Sequence, residues 1–286
     1  MEKQNHTSNS LNKTSKYDDL ISKVDPLLLD SWKKEQDYLK TKIVENDDLG
    51  FEFDTEFVTK FERIAGMDIS ASKNNPNLAV TALVVCNAKT LEVLYEKYEF
   101  VTMTQPYVPG FLAFREVDHL NKLINGLKNL HSELIPQIIL LDGNGILHCN
   151  RFGLACHLGV LCDIPTIGCS KTVFSVDGIN KFKVKNQAIT LLKNPGDWFY
   201  LQGDSGQNWG AALKSTKDTT DPIIISIGHK ISLNTALKVV KNTTLYRVPE
   251  PIRISDKKSR KIVKQYEKLK YVFNIEDFLN KIEIEN

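Results

Sequence analysis

One short stretch near the middle of the chain, Ile138–Leu141, is apolar at every position and ends sharply at the polar turn Asp142–Gly145. A strand that is apolar on both sides is typical of a sheet covered on both faces. A segment with helical character, Gly153–Leu161, and a second strand, Pro165–Cys169, follow directly. The pattern therefore predicts a strand–helix–strand unit, with an aspartate just past the first strand and Lys171 just past the second.

The residues before this unit predict three strands and two helices. Arg63–Ser70 and Leu78–Cys86 are strongly apolar, whereas Leu91–Val101 alternates apolar and polar side chains. That alternation is typical of an antiparallel strand with one exposed face, so the three strands are predicted to form a meander. Helical spacing predicts an amphipathic helix within Asp25–Val44 and a longer one over Gly110–Leu130.

The residues after the unit have a weaker pattern. Val176–Lys185 is charged and is predicted to be irregular, while Ile189–Phe199 and Gly203–Ser215 indicate a hairpin around a polar turn. Pro222–Ile227 predicts the last strand, and Ser232 is a plausible N-cap for the helix that follows it.

Composition narrows the class of protein. The chain has 286 residues, of which 42% are hydrophobic and 25% charged, with a formal net charge of +2. These values are typical of a soluble globular protein, and they permit a nucleic-acid partner without indicating one. There is no membrane-spanning apolar run and no signal-peptide pattern, and the five cysteines indicate buried, reduced thiols. We expect a cytoplasmic or nuclear protein, with nucleolar location also open, that is monomeric and binds no membrane.

Three segments differ in composition. Residues 1–20 are rich in Ser, Asn, Thr and Lys and are predicted to be a disordered tail. Residues 21–252 are predicted to form one domain. Residues 253–286 are predicted to be a basic helical tail, which either follows a phosphate backbone or is a solvated face. Its cations are Arg253, Lys257, Lys258, Arg260, Lys261, Lys264, Lys268 and Lys270.

Several chemically active side chains are expected near strand ends. Asp68 lies near the end of its strand, on the same face as Gly66, and His229 follows the last strand. Glu116 falls on the apolar stripe of the long helix, where a carboxylate is costly unless it is paired or binds a metal. Because open α/β sheets hold ligands at strand ends, we favour a metal for Glu116. Pairing with Arg115 remains an alternative.

Two further clusters need an interpretation. Tyr107 is held between Pro106 and Pro109, which suits either stacking on a base or packing of the loop. A second set of side chains has the chemistry of zinc ligands but lacks the close Cys-x-x-Cys pairs of structural zinc sites, so core packing is preferred. That set consists of His148, Cys149, Cys156, His157 and Cys162.

The order of elements and several sequence blocks resemble one known family. Three strands, a helix and then strand–helix–strand is the order of a ribonuclease-H-like domain, an α/β fold with a mixed sheet flanked by helices. The blocks occur in the order found in endonuclease V and extend roughly from Trp32 to Pro251. They are RIAGMDIS, PYVPGFLAFREV, LLDGNGILHCNRFGLACHLGVLCDIPTIGCSK, LQGDSG and ISIGHKIS.

The resemblance implies magnesium-dependent cleavage of nucleic acid near inosine, at the second phosphodiester on the 3′ side, with Mn²⁺ able to substitute. Asp68, Glu116 and Asp142 match the metal-binding carboxylates, and Lys171 and His229 match further active-site residues. Pro106, Tyr107, Val108 and Pro109 match the wedge that replaces an extruded base. The hypoxanthine pocket would be lined by Gly110, Leu112, Gly143, Gly145, Gly153 and Gly168.

Departures from the common pattern bear on the substrate. Ser170 stands where many members have Ala, whereas Asn144, LHCNRFGLACHLGV and the VPEP block at 248–251 are shared with animal-type members. Such members prefer inosine in RNA, or next to a ribonucleotide, which makes inosine-containing single-stranded RNA the expected partner. The alternatives are a repair endonuclease for deoxyinosine in DNA, a non-catalytic inosine-RNA binder and a metal-independent Asp-Gly hydrolase.

Overall fold

The computed structural model describes residues 21–51 and 60–272 and contains an eight-stranded sheet in the order β3-β2-β1-β4-β5-β8-β7-β6. β1 is parallel to β4 and β4 to β5, while all other neighbouring strands are antiparallel. The predicted mixed sheet and the predicted meander are therefore confirmed. The strands are β1 Arg63–Ala71, β2 Leu78–Asn87, β3 Val93–Thr102, β4 Ile138–Leu141, β5 Thr166–Ser170, β6 Trp198–Gln202, β7 Asn208–Leu213 and β8 Ile223–His229.

Helices cover both faces of the sheet. The part of the chain that the structure describes has six α-helices and one short 3-10 helix, Ser132–Leu134. The α-helices are α1 Pro26–Lys40, α2 Ala113–Leu130, α3 Leu154–Cys162, α4 Lys181–Leu191, α5 Leu233–Asn242 and α6 Glu250–Val272.

The side chains of β4 show why its sequence is apolar throughout. Ile139 and Leu141 pack in one core cluster with α2, and Ile138 and Leu140 pack in the cluster that also holds α5 and the start of α6. Successive side chains of a strand point to opposite faces, so a central strand between two helical layers needs apolar residues at every position. Burial on both faces places the end of β4, and Asp142 after it, inside the three-layer fold.

Two predictions for the C-terminal half were wrong. The segment expected to be irregular, 176–185, contains the start of α4, and Ile189 belongs to this helix rather than to a strand. The helix buries only Val184 and Ala188, so its apolar periodicity is faint. One local signal does mark it, because the side chain of Asn180 caps its first turn by accepting a hydrogen bond from the Lys183 N–H at 3.0 Å.

Other expectations are partly met. Four of the five cysteines are buried, but Cys149 is exposed. No helix within the described residues is long and apolar enough to cross a membrane. The predicted N-terminal tail lies outside the described residues, as does the end of the basic tail after Val272, whereas the start of that tail is helical as predicted.

Candidate active site

Three carboxylates from distant parts of the chain meet at the end of the two parallel strands β1 and β4. Asp68 is in β1, Asp142 follows β4, and Asp256 belongs to α6. One carboxylate oxygen of each lies within 4.8 Å of the other two. All three are partly buried, so the cluster concentrates negative charge where water screens it weakly.

Asp68 is held in place by two hydroxyl groups. Its Oδ2 accepts hydrogen bonds from Ser70 at 2.9 Å and from Ser259 at 3.0 Å. Burial, followed by repulsion from Asp142 and Asp256, raises the pKa of Asp68 to about 6 in spite of these two bonds. Since Ser259 comes from α6, the same contacts dock this helix onto the sheet.

Lys171 places one positive charge among the acids. Its Nζ lies 2.5 Å from Asp142 Oδ2 and 3.2 Å from Asp256 Oδ2. Burial alone would lower the pKa of Lys171, but the ion pairs with Asp142 and Asp256 outweigh it and raise the pKa. The predicted placement of Lys171 beside Asp142 therefore agrees with the structure. The lysine stays charged and offsets part of the repulsion between the carboxylates.

Glu116 stands beside the cluster on the first turn of α2. Burial is the main cause that raises its pKa to about 7, and repulsion from Asp68 adds to it, while Arg115 acts in the opposite direction. The guanidinium of Arg115 donates its hydrogen bonds to backbone carbonyls, those of Gln105 and Pro76, instead of to Glu116. The alternative in which Arg115 pairs with Glu116 is thus not the arrangement found.

A cleft of about 550 Å³ opens from Glu116 and Asp142. One wall is the Tyr107–Ala113 segment, where Tyr107 is 51% exposed. The opposite wall follows β4, and Gly143 and Gly153 lie in it. An exposed aromatic ring at the rim of a glycine-lined cleft suits a planar base that leaves its stack.

The residues predicted for the base pocket and wedge separate into two groups. Tyr107, Pro109, Gly110, Leu112, Gly143 and Gly153 line the cleft. Val108 is fully buried, in a cluster with Trp32 and Phe114, and Pro106 is not part of the cleft lining. The other two glycines serve backbone packing: a Cβ at Gly145 would lie 1.9 Å from the Ile227 carbonyl oxygen, and one at Gly168 would lie 2.4 Å from the Gly145 nitrogen.

The cleft also contains residues that the sequence did not identify as functional. His148 is buried, and its ring lies 5.1 Å from that of Phe174. Its Nδ1 accepts the Asn150 N–H at 3.3 Å, so the neutral ring has its proton on Nε2. Burial lowers the pKa of His148 to about 4, which makes it a neutral hydrogen-bond donor. His148 is therefore both a buried residue and part of the cleft lining.

His229 does not join the carboxylates. β8 runs antiparallel to β5, and the register pairs His229 with Thr166 at the start of β5, whereas Ile224 pairs with Ser170 at its end. His229 therefore lies at the start of β5, whereas Lys171 follows the end of that strand. The Nδ1 of His229 accepts the Val44 N–H at 3.3 Å, and its Nε2 lies 3.7 Å from Asp163. The sequence places His229 at the same type of boundary as Asp142 and Lys171, at the end of a strand, but the antiparallel direction of β8 separates it from them.

Asp256 takes the fourth position in the site and was missed. In the sequence it is one of two acids in a basic segment, where it reads as a counter-charge. One signal was available in the sequence: Asp256, Ser259 and Arg260 are spaced to share one turn of a helix. In the structure Arg260 pairs with Asp256, and Ser259 donates a hydrogen bond to Asp68. Only the crossing of α6 over β1 shows which way that turn faces.

The donor set suits a hard divalent cation. All candidate ligands are carboxylate oxygens, from Asp68, Asp142 and Asp256, with Glu116 adjacent, and Mg²⁺ and Mn²⁺ prefer such oxygens. Burial raises the pKa of Asp68 and repulsion from Asp142 and Asp256 adds to it, and a cation between the acids would relieve that repulsion. The residues present therefore fit the metal site that the sequence blocks imply.

The chain is similar in sequence and in fold to proteins of one known family. The family model described as endonuclease V matches residues 42–257. Human endonuclease V is 42% identical over 237 residues, which are 83% of this chain and 84% of the human one. A crystal structure of the human protein aligns with a TM-score of 0.80 at 41% identity and covers 84% of this chain and 99% of the human chain.

A second solved structure contains nucleic acid. Endonuclease V from Ciona intestinalis was crystallised with a 24mer DNA containing an inosine followed by a ribo-adenosine. It aligns with a TM-score of 0.76 at 35% identity and covers 84% of this chain and 99% of the Ciona chain.

Proposed function

The chain belongs to the endonuclease V family, and from this premise we propose that it is a metal-dependent endonuclease that cleaves nucleic acid at the second phosphodiester 3′ to inosine. The observation that supports this most directly is the position of the acid cluster at the end of the cleft. Asp142 belongs to both, so a base held in the cleft puts its own backbone close to the carboxylates.

The metal site in this proposal consists of Asp68, Asp142 and Asp256, with Glu116 beside them. A divalent cation bound there would lower the pKa of a water molecule and stabilise negative charge on a phosphate oxygen. Ser70 and Ser259 orient the Asp68 carboxylate through their hydrogen bonds.

Lys171 and Glu116 have complementary tasks around the scissile phosphate. The ammonium group of Lys171 is within the cluster and is free to transfer from Asp142 to a phosphate oxygen, where it offsets the charge that develops during hydrolysis. Glu116, buried beside the cluster, is placed to accept a proton from an attacking water, and a cation bound among the acids would favour its ionised form by relieving the repulsion from Asp68.

Base recognition falls to the cleft walls. Tyr107 fills the space that an extruded base leaves in the strand, and the walls at Gly110, Gly143 and Gly153 let the backbone approach the base edge. The Nε2–H of His148 supplies a donor for an acceptor such as O6 or N7 of hypoxanthine. A wall close to the C2 position of the base excludes guanine, which has an amino group there.

We further propose single-stranded, inosine-containing RNA as the preferred substrate. One comparison supports this choice: the Ciona protein was crystallised with a DNA in which a ribo-adenosine follows the inosine. A 2′-hydroxyl next to the scissile bond is the feature by which a protein distinguishes such a strand from DNA.

The test uses the purified protein with matched single-stranded oligonucleotides that contain ribose inosine, deoxyinosine or adenosine. Cleavage is followed on denaturing gels in Mg²⁺, in Mn²⁺ and in EDTA. We expect a faster cut of the ribose inosine strand, at the second bond on its 3′ side, that EDTA abolishes. A faster cut of the deoxyinosine strand would instead assign the protein to DNA, and equal cutting of adenosine would refute the base cleft. Absence of cutting with either metal would indicate a binding protein.

A further inference from the structure

A groove lined by lysines begins where the acid cluster ends. It runs along the exposed face of α6 and has a volume of about 690 Å³. Its basic side chains are Lys257, Lys261, Lys264 and Lys268, at spacings of four, three and four residues, which places them on one face of the helix. Arg260 also lines it and pairs with Asp256, so the groove and the acids are continuous.

The acid in the lining of this groove, Glu267, accepts hydrogen bonds from Ser72 and from the Lys73 N–H instead of pairing with the four lysines. Within residues 21–51 and 60–272, none of these four lysines forms an ion pair, whereas Lys258 on the adjacent face pairs with Glu96. Lysines that are merely part of a solvated helix surface commonly pair with carboxylates three or four residues away. An unneutralised row of cations beside a phosphate-cleaving site is complementary to a phosphate backbone.

The groove is fixed at both ends. Near the acids, Ser259 binds Asp68. About two turns further along the helix, the Glu267 carboxylate accepts hydrogen bonds from the Ser72 hydroxyl at 2.7 Å and from the Lys73 N–H at 3.1 Å. These contacts hold α6 against the loop after β1, so the cations have a defined position relative to the carboxylates.

The direction of the bound strand follows from the order of the sites. Asp142 borders the base cleft, while Asp256 borders the groove through Arg260, so the acid cluster stands between the two. If the cut falls 3′ to the base in the cleft, as the proposed function has it, the strand passes the acids and continues in the 3′ direction into the groove. The distance along α6 from Asp256 to Lys268 is about 18 Å, or about five phosphates of a stacked strand.

We propose that the α6 groove binds the backbone of the substrate on the 3′ side of the scissile bond. This inference rests on the proposed function for its direction, and the lysines act on strand affinity, not on the chemical step. It predicts that the enzyme needs a 3′ flank for tight binding, and that this need disappears when the lysines lose their charge.

The experiment compares the full-length protein with the triple variant Lys261→Gln/Lys264→Gln/Lys268→Gln. The control variant Lys33→Gln/Lys40→Gln/Lys238→Gln removes the same number of charges from exposed positions on α1 and α5. Each protein cleaves single strands with the inosine near the middle and a 3′ flank of either about ten or about two nucleotides past the cut. A mirrored series varies the 5′ flank.

We expect the groove variant to raise KM for the long 3′ flank roughly tenfold or more, with kcat unchanged and KM for the short flank unaffected. The dependence of log K on log salt should also become less steep by about two, the value for three phosphate contacts on a single strand. Equal KM changes for both flanks, an effect confined to the 5′ series, or an equal effect in the control variant would overturn the proposal.

A binding measurement separates this inference from the proposed function. Fluorescence anisotropy with an inosine-free single strand reports groove affinity without any cleavage. The wild-type protein could fail to cut inosine strands and still bind this probe through the three lysines. The proposed activity would then be refuted, and the proposal that the α6 groove binds the strand would be supported. If the groove variant binds the probe as tightly as the wild type does, the α6 groove does not bind the strand, whatever the outcome of the cleavage assay.

Discussion

Asp68 and Glu116 both have a raised pKa for the same two reasons, burial and the repulsion of neighbouring carboxylates. In the metal-free protein this repulsion opposes folding, and Lys171 offsets only part of it. A site that is unfavourable without a cation is typical of a functional position, because folding alone gains nothing from clustered acids.

Replacing Glu116 by Gln should therefore stabilise the metal-free protein at high pH. A carboxyl whose pKa is about 7 in the folded protein and 4.5 when unfolded destabilises the fold increasingly as pH rises through that window. We expect the melting temperature of Glu116→Gln in EDTA to exceed that of the wild type by a margin that grows from about pH 5 to about pH 8. Each kcal/mol corresponds to about 2–4 °C.

The difference between the two proteins, measured by thermal unfolding, isolates this one group. His148 and His157, whose pKa values burial lowers to about 4, act on stability with the opposite sign below neutral pH, but they are present in both proteins. A margin that stays constant with pH would contradict the buried, repelled state of Glu116.

Gly168 offers a second test at the residue scale. Its missing Cβ would lie 2.4 Å from the Gly145 nitrogen and 2.8 Å from the Gly143 carbonyl oxygen, both in the loop that follows Asp142. We expect Gly168→Ala to cost roughly 1–3 kcal/mol through overpacking and to lower kcat by displacing that loop. Chemical denaturation and a cleavage assay measure the two effects.

Gly126→Ala is the matched control, because a Cβ there meets nothing within 4 Å. It lies within α2, where alanine should raise stability by up to about 1 kcal/mol relative to glycine. If Gly168→Ala behaved like Gly126→Ala, close backbone packing would not be the reason for glycine at 168.

At the scale of elements, α1 contacts both walls of the base cleft through the buried side chain of Gln36. Gln36 is only 2% exposed, and its amide nitrogen donates to the carbonyls of Gly110 at 3.1 Å and Phe152 at 3.3 Å. Its amide oxygen accepts a hydrogen bond from Asn150 at 2.6 Å. Because Gly110 lines one wall of the cleft and Phe152 adjoins the other, Gln36 determines the separation of the walls.

Gln36→Leu should loosen the cleft without touching the acids. The change leaves buried carbonyls without a partner, which costs roughly 1–3 kcal/mol. We expect a higher KM for inosine strands and a smaller preference for inosine over adenosine, with kcat at saturation nearly unchanged. The control is Val240→Ala, which creates a cavity in α5, in a core cluster whose members do not line the cleft. A loss of discrimination that the control shares would mean that lower stability alone is responsible.

The elements also differ in how well local pattern predicts them. Strands β1, β2 and β4 and helix α2 bury many apolar side chains, so their periodicity is strong and their predicted bounds are close to those observed. Helix α4 leaves Phe182 and Ile189 exposed and was missed. In α1 the buried residues are Trp32, which packs on Phe114, and the polar Gln36, whose burial the apolar spacing of the helix did not indicate.

At the scale of the whole molecule, the direction of each strand decides which residues lie together at the same end of the strands. The antiparallel β8 places His229 away from the carboxylates, and α6 crosses β1 so that Asp256 reaches them. His229 instead ties the strand end to the segment after α1 by accepting the Val44 N–H.

Two substitutions compare the acid cluster with His229 at the other end of the strands. We expect Asp256→Asn to reduce kcat by at least about 100-fold, as the loss of a charged group at the reaction centre does, with little change in melting temperature. His229→Gln should lower the melting temperature but keep kcat within a few-fold, measured well below the unfolding transition. A large loss of kcat in folded His229→Gln would restore the role that the sequence blocks imply for this histidine.

The sequence by itself was enough to predict the elements with strong periodicity. It located Asp68, Asp142 and Lys171 near strand ends and Glu116 on the apolar stripe of a helix. It also contained the blocks by which the family was identified. These features depend on the spacing of neighbouring residues, which the chain shows directly. The glycines that pack backbone against backbone were visible as glycines, but not as packing positions.

Only the tertiary structure decided that Asp256 completes the cluster, that His229 lies at the other end of the strands, that Gln36 joins the two cleft walls and that the lysines of α6 continue from the acids. Each of these depends on strand direction or on the angle at which a helix crosses the sheet. Those quantities come from long-range packing of the two core layers, and residues far apart in the chain have no local pattern that records them.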